Sequence, residues 1–123
     1  LGLGSMAAHG HLDALHVSLW FEQHALVIDP GTGAYYGNTA LRSRLASWEA
    51  HNGPVPVSGR KTPRRLGPFL WMNHHATPKV ELSNDICVMS LECAPTFVLR
   101  AVNAAQGYVE ICDEVGMEVP HVV

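Results

Sequence analysis

The chain lacks the features that mark several common kinds of site and segment. It has only three cysteines and no CxxC pair, so neither a zinc knuckle nor a disulfide framework is indicated. It has no run of about 18 apolar residues, so we expect no membrane-spanning helix. Its one dense basic run, "RKTPRR" at 60–65, lacks the interleaved aromatic residues and the recognition motif that favour nucleic acid binding. We therefore expect no nucleic acid partner.

Apolar residues dominate what is present. The chain has 123 residues, of which 47% are hydrophobic and 15% are charged, so it can bury a core. It begins on Leu1 and ends on the β-branched run "EVPHVV", with no closing turn. We expect a single domain over residues 1–123 that is truncated at both ends.

The hydrophobic pattern has a period of two, which is typical of strands. Turn signals about 8–12 residues apart favour an all-β fold, an antiparallel β-sandwich. Asn38 is placed to cap a short helix within 38–50, residues 52–68 are expected to form a long loop, and 103–107 a hairpin loop. The predicted strands are 15–21, 25–29, 69–73, 78–83, 86–92, 96–102 and 108–115.

Histidines cluster near the start of the chain, in "HGHLDALH" at 9–16. His9 and His11 share one face if this segment is a strand, and imidazole is a preferred zinc ligand. A hairpin over 15–29 brings Asp29, which ends the next apolar run, to the same end of the sheet as His11. With His51, two imidazoles and one carboxylate are then available, a ligand set typical of zinc sites with an open position.

Two other polar residues of this stretch have alternative interpretations. Asp13 either orients a ligand histidine or caps a turn. His16, which alternates with Val17, is expected to be a hydrogen-bonded residue of the strand.

The order and spacing of unusual residues over 9–52 are far more specific than the histidine pair. The stretch resembles the C-terminal β-sandwich region of the heparinase II/III family of polysaccharide lyases, and the resemblance continues more loosely to the end of the chain. One departure is Gly53, where the family commonly has threonine. The matching residues are His9, His11, Asp13, Leu15, Asp29, Gly31, Thr32, Tyr36, Arg42, His51 and Asn52.

The resemblance implies a fold and an activity. It implies an N-terminal α/α toroid outside this chain, cleavage of uronate-containing polysaccharides by β-elimination, and a periplasmic or secreted location. It also implies a zinc ion in the sandwich, held by His11, Asp29 and His51, and a catalytic His9 at the active-site cleft. The catalytic base belongs to the toroid, so this chain alone is expected to be inactive.

Two alternatives remain open at this point. The basic run is most simply a solvated loop, but Arg60, Lys61, Arg64 and Arg65 could contact an acidic polysaccharide. The chain would then be a non-catalytic carbohydrate-binding β-sandwich that recognises acidic glycans. A weaker alternative is a metal-dependent hydrolase that uses the histidines directly.

Overall fold

Antiparallel strands form most of the fold in a computed structural model, which describes residues 9–55, 63–67, 69–73, 75–93 and 96–117. These residues contain three antiparallel sheets, β1–β2, β3–β4 and β5–β6–β7–β8, which confirms the predicted all-β class and is consistent with a β-sandwich. The strands are β1 Leu19–Phe21, β2 His24–Val27, β3 Arg64–Leu66, β4 Leu70–Met72, β5 Lys79–Ser83, β6 Ile86–Cys93, β7 Thr96–Ala105 and β8 Tyr108–Met117. A helix, α1 Thr39–Leu45, and a 3₁₀ turn, Trp48–Ala50, lie between β2 and β3.

The four-stranded sheet is a meander in which each strand pairs with the next. Its last hairpin is tighter than predicted, because only Gln106 and Gly107 form the turn between the paired residues Ala105 and Tyr108. Gly107 has a φ of +88°, a conformation that glycine adopts without a Cβ penalty. The predicted loop at 103–107 is therefore wrong in extent, since residues 103–105 continue β7.

The hydrophobic core lies between this sheet and the segment at 12–15. Leu91 on β6 pairs with Val98 on β7, and both side chains are fully buried. They pack against Ala14 and Leu15, with Trp48 at the margin of the cluster. The irregular N-terminal segment therefore serves as the layer that covers the middle of the sheet.

The predicted strand at 15–21 is correct only in its second half. Leu15 has a φ of +60°, outside the strand region, and β1 begins at Leu19. The amide side chain of Asn52 accepts a hydrogen bond from Val17 N and donates one to Val17 O, each at 2.9 Å. Since a side chain satisfies the backbone of Val17, this residue needs no strand partner.

The segment between β2 and β5 contains the predicted helix, the predicted strand β4 and one strand, β3, that was not predicted. Asn38 Oδ1 accepts a hydrogen bond from Leu41 N at 2.9 Å, which confirms the predicted cap of α1. Part of the predicted long loop is instead β3, which pairs with β4 across Gly67, a residue with a φ of +72°. No helix within the described ranges is long and apolar enough to cross a membrane.

Candidate metal centre

His11, Asp29 and His51 come together from three separate loops. One donor atom from each residue lies within 4.8 Å of the others. His51 Nε2 is 3.5 Å from Asp29 Oδ2, and the rings of His11 and His51 have centroids 5.7 Å apart. The arrangement offers two imidazole nitrogens and one carboxylate oxygen to a single ion.

The hydrogen bonding of His51 determines which of its nitrogens faces this group. Its Nδ1 lies 2.8 Å from Ser47 O, and a carbonyl oxygen can only accept, so Nδ1 carries the proton. In the neutral ring, Nε2 then carries the lone pair, and it faces Asp29 Oδ2. This nitrogen is buried and has no hydrogen-bond partner among the described residues. A buried ring nitrogen opposite a carboxylate needs positive charge between them, supplied by a proton or by a metal ion. Because His11 adds a third convergent donor, the site fits a metal ion.

The charge state of His11 also suits metal binding. Burial, and then the neighbouring His51, hold the pKa of His11 below its ordinary value of 6.5, although Asp29 opposes this effect. His11 is therefore neutral at pH 7, which is the form that binds a metal ion.

The turn after β2 holds the carboxylate of Asp29 in place. Asp29 Oδ1 accepts a hydrogen bond from Gly31 N at 2.7 Å, and Gly31 has a φ of +66°. This local hydrogen bond, common for aspartate in turns, fixes one carboxylate oxygen and leaves Oδ2 towards His51. The residues "DPG" thus position the carboxylate through a hydrogen bond within the turn.

His9 lies apart from the metal-binding group. Its backbone N donates to Phe69 O at 3.0 Å, and its ring packs 4.6 Å from the ring of Phe69 and 6.1 Å from that of Tyr35. His9 has a φ of +59°, which is strained for a residue with a Cβ and is held by these contacts. The exposed imidazole therefore packs against two aromatic rings and is not among the three convergent donors. Its catalytic role stays a prediction.

Arg42 packs against the same two aromatic rings, although the residue pattern assigned it no role. It is 4% exposed, and its guanidinium carbon lies 4.4 Å from the ring centroid of Phe69 and 4.9 Å from that of Tyr35. Its Nη1 donates to Ala34 O at 3.3 Å. Cation–π packing of a buried guanidinium therefore joins α1 to the residues beneath His9.

The basic run is only partly described, since Arg60 and Lys61 lie outside the described residues. Arg64 is exposed on β3. Arg65 Nη1 donates to Arg42 O at 3.3 Å, and its guanidinium lies over Trp71 at 5.6 Å. Burial, and then the nearby charge of Arg42, lower the pKa of Arg65. Arg65 is therefore built into the packing of the β3–β4 hairpin, and contact of the run with a glycan stays a prediction.

His16 is not the strand residue that the alternating pattern predicts. It follows a turn in which its N donates to Asp13 O at 3.0 Å, and its ring meets the ring of His51 edge-on at 5.5 Å. Its Nδ1 accepts a hydrogen bond from Asn52 N at 3.3 Å. The alternating pattern predicted a strand here wrongly, because the Asn52 side chain takes the backbone hydrogen bonds of Val17 that a strand partner would otherwise make.

Comparison with known proteins gives one match. A family model described as "Heparinase II/III-like, C-terminal" matches residues 1–117. No curated protein and no solved structure matches the chain.

Proposed function

The chain belongs to the heparinase II/III-like family, whose C-terminal model it matches over residues 1–117, and we propose that it is the β-sandwich part of a polysaccharide lyase with a structural zinc site. Such a lyase cleaves a uronate-containing polysaccharide by β-elimination. The observation that supports the zinc site is the buried Nε2 of His51, which has no hydrogen-bond partner among the described residues and faces Asp29 beside His11. The rest of the proposal rests on membership of a polysaccharide lyase family.

Zinc is the metal that suits this set of donors. Two imidazoles with one carboxylate are typical zinc ligands, whereas calcium and magnesium prefer oxygen donors alone. When bound, zinc supplies a cross-link between loops that are far apart in sequence. His11 would hold it from the N-terminal segment, Asp29 from the turn after β2, and His51 from the end of the 3₁₀ turn.

In the proposed reaction a base removes the C5 proton of the uronate, a C4–C5 double bond forms, and the bond between C4 and the leaving oxygen breaks. That oxygen takes up a proton. Charge develops on the uronate carboxylate, and hydrogen-bond donors or cations there lower the barrier. We assign His9 to the cleft, where its exposed imidazole can hydrogen-bond to the substrate or transfer a proton. The base and the partner of the carboxylate come from the toroid that the resemblance implies. The proposed location is periplasmic or extracellular.

The division of roles between His9 and His11 is tested in the full-length protein. His11→Ala is expected to lose zinc, measured by metal analysis, and to lower Tm. His9→Ala is expected to keep zinc but to lose activity, measured as the ultraviolet absorbance of the unsaturated uronate. His24→Ala, on an exposed strand, is the matched control and should change neither. Equal zinc loss in the His9 and His11 variants would contradict the assignment.

The chain by itself is expected to lack turnover. Purified residues 1–123 should release no ultraviolet-absorbing product from heparan sulfate or alginate, because the base lies in another part of the proposed enzyme. Measurable turnover by this chain would overturn that part of the proposal.

A further inference from the structure

Arg100 reaches from the middle of β7 to the loops that carry the metal-binding group. It is 5% exposed and lies on the same face of the sheet as Val98. Its Nε and Nη2 donate to the two carboxylate oxygens of Asp113 on β8, each at 2.7 Å. This two-point pairing fixes the plane of the guanidinium and directs Nη1 towards the loops.

Nη1 of Arg100 joins both loops at once. It donates to Leu15 O at 2.9 Å and to Asn52 Oδ1 at 3.1 Å. Asn52 directly follows His51, and Leu15 directly precedes His16. A buried cation on the sheet thus contacts the neighbour of each of these two histidines.

The guanidinium and the backbone of Val17 favour the same orientation of the Asn52 amide. A guanidinium only donates, so it selects the orientation with Oδ1 facing it. That orientation lets Oδ1 accept from Val17 N and Nδ2 donate to Val17 O. The reversed amide would place donor against donor at both Arg100 and Val17 N. Arg100 therefore stabilises the link between the two loops.

The same link determines the tautomer of His16. Asn52 N can only donate, so His16 Nδ1 accepts and His16 Nε2 carries the proton. His16 thus has no lone pair to offer at Nε2, and it packs edge-on against His51. The arrangement holds a third histidine beside the metal-binding group, and its buried Nε2 also has no hydrogen-bond partner among the described residues.

We propose that Arg100 is a positioning residue of the metal centre and acts through Asn52. The hydrogen bonds of Asn52 hold the backbone from which the His51 ring projects, and Arg100 keeps them aligned. Loss of Arg100 removes one of the two hydrogen bonds that Asn52 Oδ1 accepts. The link to Val17 is then weaker, and the position of His51 Nε2 relative to Asp29 and His11 is less well held. This inference rests on the proposed zinc site.

The test measures zinc affinity by competition with a chromophoric chelator and the visible spectrum of the cobalt-substituted protein. Arg100→Lys and Asn52→Ala are each expected to weaken zinc binding by about 10- to 100-fold, as is usual for residues that orient ligands. The cobalt spectrum should change as well, because it reports ligand geometry. Thr96→Val is the matched control: Thr96 is a buried polar residue of the same strand, and its variant should leave affinity and spectrum unchanged.

The outcomes separate this inference from the proposed function. A wild-type protein that does not bind zinc overturns both. A wild type that binds zinc, together with variants that keep its affinity and cobalt spectrum, overturns only the role of Arg100, even if Tm falls. If Arg100→Lys does not fold, Asn52→Ala decides the question, because Asn52 is exposed and its truncation leaves no cavity.

Discussion

The loops at the metal centre are irregular but contain fully buried residues, whereas the four-stranded sheet is regular but partly exposed. The loops hold only a 3₁₀ turn, yet Leu12 and Ala14 are 3% exposed and Ala46 is 0% exposed. The sheet is regular, yet Val80 and Leu82 are 57% and 78% exposed on the face that carries the buried Leu91. Burial therefore follows which surface is covered by another segment, and regular pairing alone does not provide it.

The two regions are also held by different interactions. The sheet has a continuous ladder of backbone pairs over β5 to β8. In the loops, single side chains bond to backbone groups, as Asn52 does with the distant Val17 and His51 with the nearby Ser47 O. We therefore expect single substitutions to disturb the loops more than the surface of the sheet.

The largest effect is expected where the two regions share one core. Leu91→Ala should lower the free energy of unfolding by about 2–5 kcal/mol, because it leaves a cavity against Ala14 and Leu15. Leu82→Ala, on the exposed part of the same face, should cost less than about 0.5 kcal/mol. Denaturant unfolding gives the energies. Hydrogen exchange in Leu91→Ala should rise in both β6 and 12–15, and unchanged exchange at 12–15 would show that the regions are independent.

A smaller effect, confined to the loops, is expected at Gly53. A Cβ there would lie 2.2 Å from Ala14 O, so the two backbones approach too closely for a side chain. Gly53→Ala should cost about 1–3 kcal/mol and weaken zinc binding, because it separates the loops that carry the ligands.

The matched control for Gly53 is Gly107→Asn in the sheet. Its φ of +88° suits asparagine better than most residues, and a Cβ would meet nothing within 4 Å. This variant should keep wild-type zinc affinity in the chelator competition assay. Unchanged affinity in Gly53→Ala as well would mean that this close approach has no part in the site.

The smallest effect expected is a pH dependence of the metal-free loops. Burial lowers the pKa values of His11 and His16 below 6.5, so above that pH the folded state has its full stability. Below pH 6.5 the unfolded chain binds more protons, and stability is lost as the pH falls towards the lowered values. Hydrogen exchange, corrected for intrinsic rates, should rise in 9–17 between about pH 7.5 and about pH 5.5 but not in β6 and β7. His16→Gln should reduce the rise, and an equal rise in the sheet would contradict a local cause.

Much of the fold was predictable, because its signals are local. The alternating pattern located β5 to β8 within a few residues, and Asn38 predicted the start of α1. Strand β3 was missed because it lies in a segment rich in proline and glycine, whose pairing with β4 has no strong local signal. The first half of the strand predicted at 15–21 was wrong because a distant asparagine satisfies the backbone of Val17.

The candidate site also contains residues that the sequence predicted and residues that it did not. The choice of His11, Asp29 and His51 followed from residue type, order and resemblance, and the structure brings their donor atoms within 4.8 Å. Their roles as zinc ligands stay a prediction. Nothing in the sequence indicated that Arg42 would support His9, or that Arg100 would reach Asn52 across 48 residues.

The sequence by itself determined the strand-rich class and the capped helix, because alternation and capping act over a few neighbouring positions. It offered His11, Asp29 and His51 only as candidate ligands, through residue type, order and resemblance. Only the tertiary structure decided that His9 stands apart from His11, that His16 faces His51, and that Arg100 aligns the Asn52 amide. The orientation of each of these side chains depends on groups from distant parts of the chain. Those groups meet only when the loops cover the sheet and the buried polar atoms must find partners.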